Sequence, residues 1–207
     1  NTYKPPPRLF MLMDIAREGD LATRISKKPA LSHSLRRHYA SQLLLGLKFM
    51  HQKDIIHRDI KPSNVLLGCD GRLKLCDLGF ARRLGSGQKA TTLLGTYAYL
   101  APEQCSFQPY SHSADLWSLG IVVYEMMYGT TPFESHHEDD DEFSRRTMQN
   151  IRKNALRFPM KGTVAFSAKL FLKAVLTKTP ETRLGHDRNF DEVMAHAWFT
   201  SVDWETL

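Results

Sequence analysis

With 207 residues, 42% hydrophobic and 24% charged, the chain has the make-up of an ordinary globular protein with material for one core or little more. Its net charge of +6 favours acidic partners, but the Lys and Arg residues are scattered, with no basic block and no aromatic-interleaved basic stretch, which argues against nucleic-acid binding. Cys69, Cys76 and Cys105 lack C-x-x-C spacing, no apolar run approaches the ~20 residues of a membrane span, and no signal peptide opens the chain, so an intracellular, cytoplasmic protein with free thiols is expected. The chain opens Asn1-Thr2 rather than with Met, with Pro5-Pro6-Pro7 close behind, and reads as a fragment or a processed chain.

In chain order, Arg8 to Ala16 is a nearly continuous apolar run bounded by prolines and by Arg17-Glu18-Gly19, the pattern of a buried strand. From Leu31 to His51, apolar residues recur every three or four positions (Leu31, Leu35, Tyr39, Leu43, Leu47, Met50), which predicts a long amphipathic helix capped by Ser32 or Ser34. Two apolar runs, Asp54-Ile55-Ile56 and Val65-Leu66-Leu67, then flank the polar stretch His57-Arg58-Asp59-Ile60-Lys61-Pro62-Ser63-Asn64, as expected of a site loop on a rigid scaffold. Cys69-Asp70-Gly71 between Val65-Leu66-Leu67 and Leu73-Lys74-Leu75 predicts a hairpin that returns Asp77 beside Asn64. Gly85 to Lys89 reads as a loop. Asp115 to Tyr128 is apolar on nearly every face and predicts a core helix, capped by Ser111 or Ser113 and ended by Gly129. The acidic run from Ser135 to Glu142 fits no metal-ligand spacing and reads as a solvated loop. The remainder alternates helical patterns with breaks at Pro159, Pro180 and Gly185, with no internal repeat and no second domain.

The stretch from His57 to Asn64 matches the protein-kinase pattern H-R-D-x-x-x-x-N, and Asp77-Leu78-Gly79 follows at hairpin distance. Phosphoryl transfer asks a protein mainly for positioning and charge neutralisation. In that pattern Asp59 orients a substrate hydroxyl and accepts its proton, and Lys61 reaches the transferred phosphate. Asn64 and Asp77 offer oxygen ligands of the kind Mg²⁺ prefers. His57 reads as a structural residue that packs and hydrogen-bonds the loop, and Cys76 as a buried, inert thiol. Downstream, Leu94 to Glu103 resembles the end of a kinase activation segment, closed by Ala101-Pro102-Glu103. Thr96 together with Lys61 resembles the serine/threonine class. Thr92 is the candidate regulatory phosphosite, with Arg58 and Arg82 as cations for the added phosphate.

The chain resembles, along nearly its whole length, the AGC group of serine/threonine kinases, the group of the cyclic-nucleotide-dependent kinases. The residues that carry this include Leu9 to Leu21, Asp77 to Glu103, Asp115 to Gly120, Thr131-Pro132-Phe133, Arg157-Phe158-Pro159, Arg183-Leu184-Gly185 and His196 to Trp204. The resemblance implies ATP and Mg²⁺ as cofactors, with Met13 as gatekeeper and the Asp14 and Ala16 backbones bonding adenine. Leu66 would lie beneath the ring, and Asp20, Lys61, Ser63, Asn64 and Asp77 would complete the nucleotide site. Asp115 would brace the catalytic loop, and Glu103 with Arg183 would form a buried pair locking the activation segment. Asp20 and Glu125 match acids that receive basic residues upstream of the phosphorylated Ser or Thr, while Ser63 stands where many relatives carry a third acid. The implied partners are protein substrates with such basic residues, and an upstream activating kinase or autophosphorylation.

The implied fold is mostly α with short β hairpins: the C-terminal, large lobe of a protein kinase (17–207) plus a hinge strand (1–16), with the N-terminal lobe missing. Asp77-Leu78-Gly79 departs from the family in having Leu for the usual Phe, and no Gly-rich loop or phosphate-binding lysine precedes the hinge. The 207 residues alone are therefore expected to bind ATP poorly. The alternative is a catalytically incompetent lobe acting as an interaction module. The surface around Met13, Val65 and Leu66 is expected to be exposed and prone to aggregation.

Overall fold

The computed structural model describes residues 15–27, 30–85, 87–137, 139–160 and 164–207. Met13, Asp14 and most of the strand expected over 8–16 lie outside the described residues. The helices are α1 (Leu21–Ser26), α2 (His33–Gln52), α3 (Pro102–Cys105), α4 (Ser113–Tyr128), α5 (Asp140–Lys153), α6 (Phe166–Val175) and α7 (Phe190–Met194). Four short strands, β1 (Ile55–Ile56), β2 (Val65–Leu67), β3 (Leu73–Leu75) and β4 (Arg82–Arg83), pair into two antiparallel ribbons. This is the mostly helical architecture with short hairpins that the sequence implies.

The core is built around α4. Every residue from Ser113 to Tyr124 is buried, because the helix carries apolar side chains all round and is packed on several sides. The α2 and α6 helices lie against it. The α4–α6 approach is close: a Cβ on Gly120 would stand 2.8 Å from both Leu176 Cδ2 and Val175 Cγ1. Trp117 stacks on Phe133, with centroids 5.8 Å apart. The α2 helix turns Tyr39, Leu43, Leu44 and Leu47 inward, and the Ser32 hydroxyl caps it by accepting from the Leu35 N–H at 3.2 Å.

The β2–β3 ribbon has the register Val65↔Leu75, Leu66↔Lys74 and Leu67↔Leu73, set by the Asp70-Gly71 turn. The β1–β4 ribbon pairs Ile55 with Arg83 and Ile56 with Arg82. The β1–β4 ribbon joins the two ends of the stretch from His57 to Asp77, and β1 and β3 pack against α2.

Three expectations change. The α4 helix has no serine cap: His112 precedes it already in helical backbone geometry and makes no side-chain cap bond. The acidic run is not a loop throughout. Asp139 caps α5, accepting from the Glu142 N–H at 2.8 Å, and Asp140, Asp141 and Glu142 fill its first turn, where the helix dipole favours negative charge. Glu142 also pairs with Arg145 and Arg146 along the helix. Finally, Val65 is fully buried and Leu66 only half-exposed, because Leu66 bridges to Asp20 and so brings the start of α1 over β2.

Candidate active site

The loop from His57 to Asn64 is fixed from below by one buried carboxylate. Asp115, in the first turn of α4, accepts from the backbone N–H of His57 and of Arg58, both at 2.9 Å, and its Oδ2 lies 2.9 Å from His51 Nε2. Burial pushes the Asp115 carboxyl up, but the His51 contact and the two backbone donors outweigh it, and the net shift is downward. Two N–H donors can face one side chain because Arg58 takes the left-handed conformation, at φ 71°. His57 holds the far side, its Nε2 lying 3.1 Å from the Cys76 carbonyl.

Asp59 sits above this brace, only 4% exposed. Lys61 Nζ is 2.9 Å from its Oδ2 and also donates to Thr96 Oγ1 at 2.8 Å. The Thr96 N–H and hydroxyl donate to Asp59 Oδ1 at 3.1 and 3.0 Å. Asn64 Nδ2 donates to the Asp59 carbonyl and to Oδ2, both at 2.9 Å. Burial alone would raise the Asp59 carboxyl; hydrogen bonds from Lys61, Thr96 and Asn64 and the Lys61 charge prevail and hold it below the usual carboxylate range. The arrangement brings Thr96 next to Asp59 across a sequence gap of 37 residues. Gly95 makes that approach possible, since at its φ of 109° a Cβ would stand 2.6 Å from the Arg58 carbonyl oxygen.

The hairpin delivers Asp77 to the same place. The Cys76 N–H donates to the Asn64 carbonyl at 3.0 Å, so the next residue lies beside Asn64. Asp77 is left-handed at φ 59°, and its Oδ1 accepts from the Gly79 N–H at 3.3 Å. Burial and the charges of Asp77 and Asp20 push the Cys76 thiol up, away from the reactive thiolate. Among the described residues no group of three or more His, Cys, Asp or Glu side chains is placed to hold a metal ion.

Other residues picked from the sequence have partners of their own among the described residues. Ala16 is half-buried, with its carbonyl accepting from Gly19 N–H, and Asp20 caps α1, accepting from the Thr23 N–H at 2.7 Å. Ser63 is exposed and Leu66 half-exposed. Glu125, on α4, accepts from Tyr99 Oη at 2.6 Å, and burial pushes its carboxyl up despite that bond. Thr92 is exposed, its carbonyl taken by Tyr110 Oη; Arg58 Nε donates to the Phe80 carbonyl and Arg82 is exposed on β4. Glu103 and Arg183 form a two-pronged buried pair, 2.8 Å at each prong, and the guanidinium also lies over Trp117.

Sequence reasoning missed His51 and Tyr99. His51 falls on the inward face of α2, a signal the heptad-like spacing already contained. The Tyr99–Glu125 bond joins residues 26 apart through tertiary placement, and nothing local announces it.

The protein kinase domain family model matches residues 1–199. The chain is 37% identical over 207 residues to cAMP-dependent protein kinase type 3 of Saccharomyces cerevisiae, covering all of this chain and 50% of that protein. It is 36% identical to protein kinase C of Drosophila melanogaster and 35% to human ribosomal protein S6 kinase alpha-1, covering 99% of this chain and 27% of each of those proteins. The chain thus spans between about a quarter and a half of the length of these relatives, all of the AGC group.

Proposed function

The chain belongs to the protein kinase domain family, and from that premise we propose that the protein carrying it is an ATP- and Mg²⁺-dependent kinase of protein Ser and Thr hydroxyls. One observation carries the reading: Lys61, Asn64 and Thr96 all converge on the buried Asp59 carboxylate, with Asp77 beside Asn64.

The residues suit the cofactors. Asn64 uses its amide nitrogen on Asp59, which leaves its Oδ1 to face a cation, and Asp77 uses one carboxylate oxygen on Gly79. Two such oxygen donors match Mg²⁺, which keeps waters and nucleotide phosphates in its remaining positions. When bound, Mg²⁺ and ATP supply the phosphoryl group and the neutralising charge. Asp59 orients the acceptor hydroxyl. Its depressed pKa makes it a weak base, so it takes the proton late, as the new P–O bond forms. Lys61 balances charge between Asp59 and the moving phosphoryl group, and Thr96 holds both side chains in register. Ala16, Ser63 and Leu66, with Met13 and Asp14, belong to the nucleotide side of the reading, and the division into a hinge (1–16) and a large lobe (17–207) goes with it.

Asp20 and Glu125 give the substrate side a negative field and support a preference for basic residues upstream of the acceptor. Thr92, exposed and followed within four residues by Thr96, is the regulatory site, with Arg58 and Arg82 receiving its phosphate. The phosphate comes from an upstream kinase or from autophosphorylation. The test is transfer of label from ATP to Ser/Thr peptides by the full-length protein. Chelating Mg²⁺ and Asp59→Asn are each expected to abolish it. Peptide binding without transfer is the result an interaction module would give, and it would overturn the reading.

A further inference from the structure

A cavity of about 470 Å³ opens beside the transfer residues, walled by Lys61, Ser63, Thr96, Tyr99, Glu125 and Glu134. Its charged groups are one cation and two carboxylates. The cation is already spoken for, since Lys61 Nζ sits 2.9 Å from Asp59. Neither carboxylate has a Lys or Arg partner among the described residues. Glu125, half-buried on α4, is held by Tyr99 Oη at 2.6 Å. Glu134, exposed on the loop after α4, is held by Thr131 Oγ1 at 2.7 Å. Both acids are therefore oriented by neutral hydroxyls and keep acceptor oxygens for an outside donor. The Glu134 charge helps burial to raise the Glu125 carboxyl. That repulsion is relieved by one cation placed between them.

We infer that Glu134 is a specificity-determining residue of the substrate cleft, forming with Glu125 a two-carboxylate pocket for an arginine side chain of the protein substrate. The inference rests on the kinase reading above. A guanidinium fits better than an ammonium, because its planar fork offers donors to two acceptors at once. Glu134 stands on a different element from Glu125, so it supplies the second wall of the pocket. Ser63 contributes a hydroxyl and no charge at the same cavity, so the second carboxylate comes from Glu134.

The test measures kcat and KM of the full-length protein on peptide pairs that share one acceptor serine and differ by Arg or norleucine at each upstream position in turn. Glu134→Gln is expected to lower the Arg-over-norleucine ratio of kcat/KM about tenfold at one position, through KM and not kcat. Glu134→Arg is expected to turn that position toward Glu. Glu205→Gln, which removes the same charge from an exposed site outside the cavity, leaves the ratio as it was. A Glu134→Gln ratio equal to wild type at every position, with the serine still phosphorylated, overturns the inference and leaves the kinase reading standing. No transfer by the wild type to any peptide overturns the kinase reading, and the inference with it.

Discussion

Asp115 and Glu103 are both buried carboxylates, yet their partners differ in kind. Asp115 is held by two backbone N–H groups and a histidine ring. Glu103 is held by the full charge of Arg183, whose guanidinium also donates to the carbonyls of Ser113, Thr177 and Lys178. The first arrangement fixes the path of eight residues that carry the proposed chemistry. The second ties the end of the activation segment to a turn 80 residues away. Backbone N–H donors position without leaving a stray charge if the carboxylate is lost. A buried ion pair broken on one side leaves the other charge stranded in the core. The two braces should therefore separate, one showing mainly in catalysis and the other mainly in stability.

The largest effect belongs to the ion pair. Arg183→Met is expected to cost about 3–5 kcal/mol in denaturant unfolding, because Glu103 is left buried without its cation and three further hydrogen bonds, to the carbonyls of Ser113, Thr177 and Lys178, are lost. A loss below about 1 kcal/mol would erase the contrast. Asp115→Asn is expected to cost less, about 2 kcal/mol, since one oxygen still accepts while the new amide faces a donor. It should nevertheless lower kcat about a hundredfold, the size of effect that displacing a catalytic group by about 1 Å produces. Asp115 has its folded-state pKa depressed, so its contribution to stability is complete above the ordinary Asp range and is lost as pH falls through it; the Asn variant should lack that acid slope.

A smaller effect lies just behind Asp115. The His112 ring packs on His51 with centroids 4.7 Å apart, and burial, then the charges of His51 and Arg188, push its pKa down to about 4. A base depressed in the folded state destabilises the fold as pH drops, because the unfolded chain takes up the proton first. Between its ordinary value of 6.5 and about 4 the protein should progressively lose stability, reaching about 2 kcal/mol by roughly pH 5. His112→Asn should flatten the unfolding profile over that window. An unchanged profile would show that His112 does not contribute, and that the Asp115 brace is insulated from its histidine neighbours.

The same comparison explains what could be read from the sequence. The loop from His57 to Asn64, the Asp70-Gly71 hairpin and the two long helices were legible because turn chemistry and apolar period are local. The position of Asp77 followed from the hairpin by arithmetic. His51 with Asp115, 64 residues apart, and Tyr99 with Glu125, 26 apart, depend on how α2 and the activation segment settle against α4, which no local pattern encodes. The acidic run misled because its charge suggested solvent, while Glu142, three and four residues ahead of Arg145 and Arg146, belongs to the first turn of a helix. The missing serine cap on α4 has a similar origin: the chain enters that helix already in helical geometry, so no side chain was needed to turn it.

The decisive measurement is the rate of phosphate transfer from ATP and Mg²⁺ to a Ser/Thr peptide by the full-length protein, wild type against Asp59→Asn, with cooperative unfolding checked in parallel. The network around Asp59 predicts a fall in kcat of about a thousandfold in a variant that still unfolds cooperatively. A folded Asp59→Asn protein that transfers phosphate within about threefold of wild type would contradict it.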